Sequence, residues 1–153
     1  MVKALPFIIF LIINFGALGI GGWLMQNGPT SNWYLQLNKA PWTPPGWVFG
    51  VAWITIMFCF TFYMTFLYEI ENTTKLKILF GFQVLLNVSW NYIFFNKQLI
   101  GGGLIVIILL TLIVFYLLIT YFKELNLKSL LILPYGIWLM IATSLNLYIY
   151  LKN

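Results

Sequence analysis

The segment LNVSWNYIFF places Asn87, Trp90, Asn91 and Phe94 on one helical face, because residues three and four apart lie above one another along a helix. Two amides and two aromatic rings on one stripe are poorly suited to hydrocarbon, where every polar group needs a partner. Two uses are open to the amides: bonding neighbouring helices, as intramembrane asparagines commonly do, or orienting a bound molecule. The segment LPYGIWLMIATSLN repeats the pattern, with Trp138, Ala142, Leu145 and Asn146 on a common face. Ala142 leaves room between Trp138 and Asn146 for a flat guest, and Pro134, near the start of the same helix, is placed to bend it and free a carbonyl. Trp53 and Met57 form a matching pair one turn apart. Together these faces describe a mainly aromatic cavity with a few amides to fix orientation, the usual composition of a small-molecule site.

The residue types that are missing narrow the chemistry. The chain has no Arg, Asp or His, and its three acids, Glu69, Glu71 and Glu124, fall between apolar runs. No intramembrane ionisable side chain exists to relay protons or pair with ions, as pumps and ion-coupled transporters require. No Ser-His-Asp set, metal-ligand cluster, Walker or dinucleotide glycine motif is present. Acid-base catalysis and a metal centre are therefore not expected, and no cofactor is required. Cys59 is the one cysteine, which excludes an intrachain disulfide.

Between the first two apolar runs lies WYLQLNKAPWTPPGWVFGVAW, Trp33 to Trp53, with four of the seven tryptophans and three of the six prolines. A flexible tether would carry glycine and serine instead. Pro41, Pro44 and Pro45 fix their own backbone angles and push Ala40 and Thr43 away from helix, so the stretch is expected to run extended and stiff. Pro45 suits the first turn of the following helix, where its missing N–H costs nothing. Trp33, Tyr34, Trp42 and Trp47 offer flat apolar faces with one polar edge each, suited to a half-wet mouth over a cavity. An interfacial aromatic belt accounts for some of these rings and for none of the prolines.

The elements that must position these groups follow from composition. Hydrophobic residues make up 62% of the 153 and charged residues 7%, far from soluble-domain values, and mean hydropathy is +0.95. A spanning helix needs about 20 mostly apolar residues, and five such runs occur, near 5–25, 46–68, 76–95, 100–122 and 129–150. The first is too long for a signal-peptide core and lacks an A-x-A site. The reading is a single all-α domain over 1–153, an integral membrane bundle of five transmembrane helices with a structured loop over 26–45. Later connections are short enough to force antiparallel neighbours.

Lys3, Lys75, Lys77, Lys123 and Lys128 lie on the amino-terminal side, and Lys39, Lys97 and Lys152 on the other, which favours a cytoplasmic amino terminus. The net charge of +5 is scattered over ends and loops, a pattern for anionic headgroups and not for nucleic acid. Gly16, Ala17, Gly19, Gly21 and Gly22 allow close backbone approach in helix one, either for internal packing or for a dimer face. The Gly101–Gly103 cluster reads as a helix start or hinge.

Taken in order and with fitting separations, WYLQLNKAPWTPPGWVFGVAW, LNVSWNYIFF and LPYGIWLMIATSLN resemble the tryptophan-rich sensory protein and translocator protein family, TspO/MBR, which includes the peripheral benzodiazepine receptor. The resemblance spans essentially the whole chain, and the W-x-P-P element at Trp42–Pro45 is its most specific part. Lys39-Ala40-Pro41 departs from the commoner Lys-Pro-x pattern. The resemblance implies a five-helix bundle, often a homodimer, whose first loop folds over a pocket for porphyrins and drug-like aromatic ligands. By position it implies that Tyr34, Pro44, Trp53, Asn87, Asn91, Phe94, Trp138, Ala142 and Leu145 line that pocket; Trp90 and Asn146 join them by spacing. It further implies a tetrapyrrole-responsive receptor, with protoporphyrin IX as ligand. Alternatives are a light- and oxygen-dependent protoporphyrin IX degrading enzyme, with Trp53 and Trp138 as the catalytic, oxidisable indoles, or a tetrapyrrole or sterol carrier. With no His for axial haem ligation, metal-free porphyrin is favoured, its acids meeting amides or Lys39 at the mouth. Leu145, Tyr148 and Lys152 fit the loose pattern proposed for cholesterol. The Lys, Ile and Asn bias suggests an AT-rich coding sequence and hence a bacterial plasma membrane.

Overall fold

The long apolar runs can satisfy their backbone groups in hydrocarbon only as helices, and the computed structural model, which describes residues 3–153, contains helices and no strand among them. Helix α1 spans Ala4–Leu24, a short helix α2 spans Asn32–Gln36, and α3 spans Gly46–Ile70. Then come α4 (Thr74–Asn91), α5 (Ile100–Leu125) and α6 (Leu133–Lys152). Among the described residues, four continuous helical stretches are long and apolar enough to cross a membrane. The last of these, Ile100–Lys152, is α5 and α6 joined through a 3-10 turn over Asn126–Ile132 and folded against each other, so five segments cross. The protein is an all-α integral membrane bundle. The ring runs α1, α4, α5, α6, α3 and back to α1; across its interior α3 meets α5, and hydrogen bonds join α4 to α6.

Between helices already in lipid, burial adds little, and association depends on close packing and interhelical hydrogen bonds. Asn14 donates to Thr61 at 3.0 Å across α1 and α3, both fully buried. The Tyr63 hydroxyl donates to the Leu117 carbonyl at 2.9 Å, joining α3 to α5, and Thr111 meets Thr143 at 3.1 Å between α5 and α6. On α1, Ala17 and Gly21 point inward, and Gly21 lies against Asn91. Gly16, Gly19 and Gly22 have open space where a side chain would be. The small residues of α1 are thus divided between the interior and the outer surface.

Several local expectations change. The first loop is not extended throughout: Ser31 accepts the Tyr34 N–H at 3.2 Å and caps α2, which occupies the part ahead of the prolines. Pro45 is the N-cap of α3, one residue before its first turn. Pro134 sits in the first turn of α6, where its absent N–H is no loss, so it starts that helix and does not bend it. The third span ends in a π-helical turn, Tyr92–Asn96, in which Lys97 N–H reaches the Tyr92 carbonyl at 2.9 Å.

Candidate functional site

Two hydrogen bonds cross the bundle interior from α4 to α6. The lower runs between the Gln83 amide and the Tyr135 hydroxyl at 2.6 Å, both side chains almost wholly buried. The upper runs from the Trp90 indole N–H to Asn146 Oδ1 at 3.3 Å, and Asn146 in turn donates to the Ala142 carbonyl at 2.9 Å. The two bridges are seven positions apart along α4, about 10 Å of helix. Between those levels lie Asn87 on α4 and Trp138 and Ala142 on α6, all buried, with α3 closing the side. From α3, Phe49 meets Trp138 edge-on at 5.2 Å and Trp53 meets Tyr135 at 5.9 Å. Leu145 is buried beside Asn146.

A second aromatic group closes the end of the bundle where the first loop lies. Phe94 is 1% exposed and stacks on Trp90 with centroids 5.3 Å apart and planes within 8°. Trp33 and Tyr34 of α2 approach Phe94 at 5.6 and 6.4 Å, and Phe95 touches Phe94, Trp90 and Tyr34. Trp90 reaches both Phe94 and Phe95 because the π turn widens the helix at that point. Asn96 Nδ2 anchors the turn by donating to the Leu24 carbonyl at 3.2 Å. Asn91 donates to the Asn87 carbonyl at 3.2 Å, so its amide stays on its own helix.

The loop is held over this end by its own contacts. Asn38 and Asn153 exchange hydrogen bonds, with Asn38 N–H to Asn153 Oδ1 at 2.9 Å. Trp42 donates to Ser144 at 3.2 Å and packs on Tyr148 at 5.5 Å. Lys39 Nζ donates to the carbonyls of Tyr34, Leu35 and Leu37 at 2.9–3.2 Å, capping α2, and its charge lies 5.0 Å from the centre of the Tyr34 ring. All three ammonium donors are thereby engaged, which removes Lys39 as a ready partner for ligand acids. Burial pushes the Tyr34 phenol up, keeping it a neutral hydroxyl through neutral pH. Lys39→Met is expected to release α2 at a cost of about 0.5–1 kcal/mol; limited proteolysis should show faster cleavage between Gln26 and Lys39, and an unchanged rate would deny the capping role.

The structure therefore brings Trp53, Asn87, Trp90, Trp138, Ala142, Leu145 and Asn146 to the interior, with Tyr34 and Phe94 above them. Pro44 is half-buried in the lead into α3. The cholesterol-type pattern is not one surface: Leu145 faces inward and Tyr148 lies beneath Trp42. Gln83, Tyr135, Phe49 and Phe95 were not anticipated, whereas Trp33, expected at the mouth, lies there against Phe94. Gln83 continues the amide stripe at i, i+4 and i+8 with Asn87 and Asn91, a signal the sequence did carry; Phe49 is one turn before Trp53. Phe95 had none, since the π turn is not written in local residue types.

Residues 8–151 match the TspO/MBR family. The chain belongs to that family. It is 35% identical over 141 residues to the tryptophan-rich protein TspO of Archaeoglobus fulgidus, covering 90% of each chain. It is 30% identical to the tryptophan-rich sensory protein of Cereibacter sphaeroides over 74% of this chain and 72% of that one. Against the human translocator protein it is 27% identical, over 83% and 78% of the two chains. Within this TspO/MBR chain, the three segments that carried the resemblance supply the loop, the α4 stripe and the α6 stripe that meet around the interior.

Proposed function

We propose that this TspO/MBR protein is a membrane receptor or sensor for flat aromatic ligands of the porphyrin class. The observation that carries the reading is the meeting of Asn87, Trp138, Ala142 and the Trp90–Asn146 bridge across the bundle, beside Trp53. Aromatic faces there suit a planar apolar ring, and the amides can orient it. Phe94 and the α2 rings now pack against one another, so entry requires the loop and Phe94 to swing aside. Ligand acids would remain toward the loop end, meeting indole and amide N–H groups in place of Lys39.

Protoporphyrin IX titration of the purified protein in detergent, followed by tryptophan quenching in the dark, tests the site. Saturable quenching is expected, with affinity about tenfold weaker in Trp138→Phe combined with Trp53→Phe, the cost of about 1.4 kcal/mol of lost ring contact. Unsaturable quenching, or affinity unmoved by the double change, would sink the reading. Absorbance under light and oxygen extends the same experiment: a protein-dependent product, lost with the two indoles, would favour the photo-oxidative enzyme over the sensor.

A further inference from the structure

At the opposite end of the bundle from the first loop, an apolar groove of about 330 Å³ lies where α1, the end of α3 and the start of α4 meet. Leu5, Ile9 and Ile13 of α1 and Met64 and Tyr68 of α3 line it, and among the described residues Lys77 of α4 is the one charged residue in its lining. Leu5 and Ile9 are exposed while Met64 is wholly buried, so the groove opens outward and has a solid floor. From Leu5 to Ile13 it runs about 12 Å along α1, close to the roughly 15 Å depth of one leaflet. The Lys77 ammonium sits 5.7 Å from the centre of the Tyr68 ring, at the polar end of the groove.

We infer that this groove is a binding site for one anionic phospholipid, with an acyl chain lying against α1 and the phosphate at Lys77. A chain leaving bulk lipid for the groove gains no hydrophobic energy, since both surroundings are hydrocarbon. Selection must therefore come from the headgroup. The charge complementarity is local: among the described residues no acid lines the groove, and neighbouring Glu69 is engaged by the Lys3 backbone N–H at 2.8 Å. One lysine near a membrane surface contributes about 1 kcal/mol toward an anionic lipid, which is about a fivefold preference. The site is independent of the aromatic interior and of any porphyrin.

The test is native mass spectrometry of the delipidated full chain titrated with phosphatidylglycerol and phosphatidylcholine carrying identical acyl chains, with circular dichroism confirming that each variant stays helical. The wild type is expected to hold one phosphatidylglycerol about five times more tightly. Lys77→Gln should abolish the preference, Lys123→Gln at the same end should keep it, and Ile9→Trp, which fills the groove from an exposed position, should remove the saturable site. Equal affinity for the two lipids in the wild type overturns the inference. So does a loss as large in Lys123→Gln as in Lys77→Gln, which would mean diffuse surface charge. Saturable binding that survives Ile9→Trp, or efficient Ile9→Cys disulfide formation between copies in a bilayer, would show that the lipid sits elsewhere or that a second copy covers the groove.

Discussion

Phe94→Ala is expected to destabilise the bundle by about 3 kcal/mol, the sum of several aromatic pairs worth about 0.5–1.5 kcal/mol each. The ring is 1% exposed and contacts Trp33, Tyr34, Trp90 and Phe95. Its removal would leave a void between the α4 terminus and α2 that neither side can readily fill, because the π turn is anchored through Asn96 and the loop carrying α2 is tied to α6 through Asn38 and Trp42. The melting temperature in detergent should fall by several degrees, and the loop over 26–45 should become more open to protease. Phe94→Leu, which keeps much of the volume, should recover about half the loss. A melting temperature unchanged in Phe94→Ala would mean that Phe94 does not tie the loop to the bundle.

Gly103→Ala is expected to cost about 1–3 kcal/mol by overpacking, although it adds one methyl group. A Cβ there would lie 2.8 Å from Phe94 Cδ2 and 3.0 Å from Phe94 Cβ. The second atom is fixed to the backbone and cannot rotate away, so α5 and the end of α4 must separate. Gly16→Ala meets nothing within 4 Å and should be neutral or stabilising by up to about 1 kcal/mol through helix propensity. Comparing the two variants by thermal melting in one detergent isolates the contact, since the substitution is the same. Equal effects would show that α4 and α5 are not as closely apposed as Gly103 and Phe94 imply.

The amino-acid sequence by itself determined the class of molecule, the five spans and the two stripes that face inward. Long apolar runs leave the backbone no alternative to helix in a bilayer, and amides at helical spacing must turn away from lipid. Asn87, Trp138, Ala142, Leu145 and Asn146 were legible for that reason, being ordinary i, i+4 positions on unbroken helix. The tertiary structure decided what those groups touch. Trp90 meets Asn146, and Gln83 meets Tyr135, only because α4 and α6 face each other across the ring. Lys39 became a helix cap because α2 formed ahead of the prolines, and Phe95 joined the aromatic group because a π turn changed the local period. Gly16 and Gly103 are chemically alike in the sequence; one faces open space and the other the Cβ of Phe94. Periodicity fixes the direction in which a side chain points, while its partner is fixed by which helices pack together, and that arrangement depends on distances no local pattern encodes.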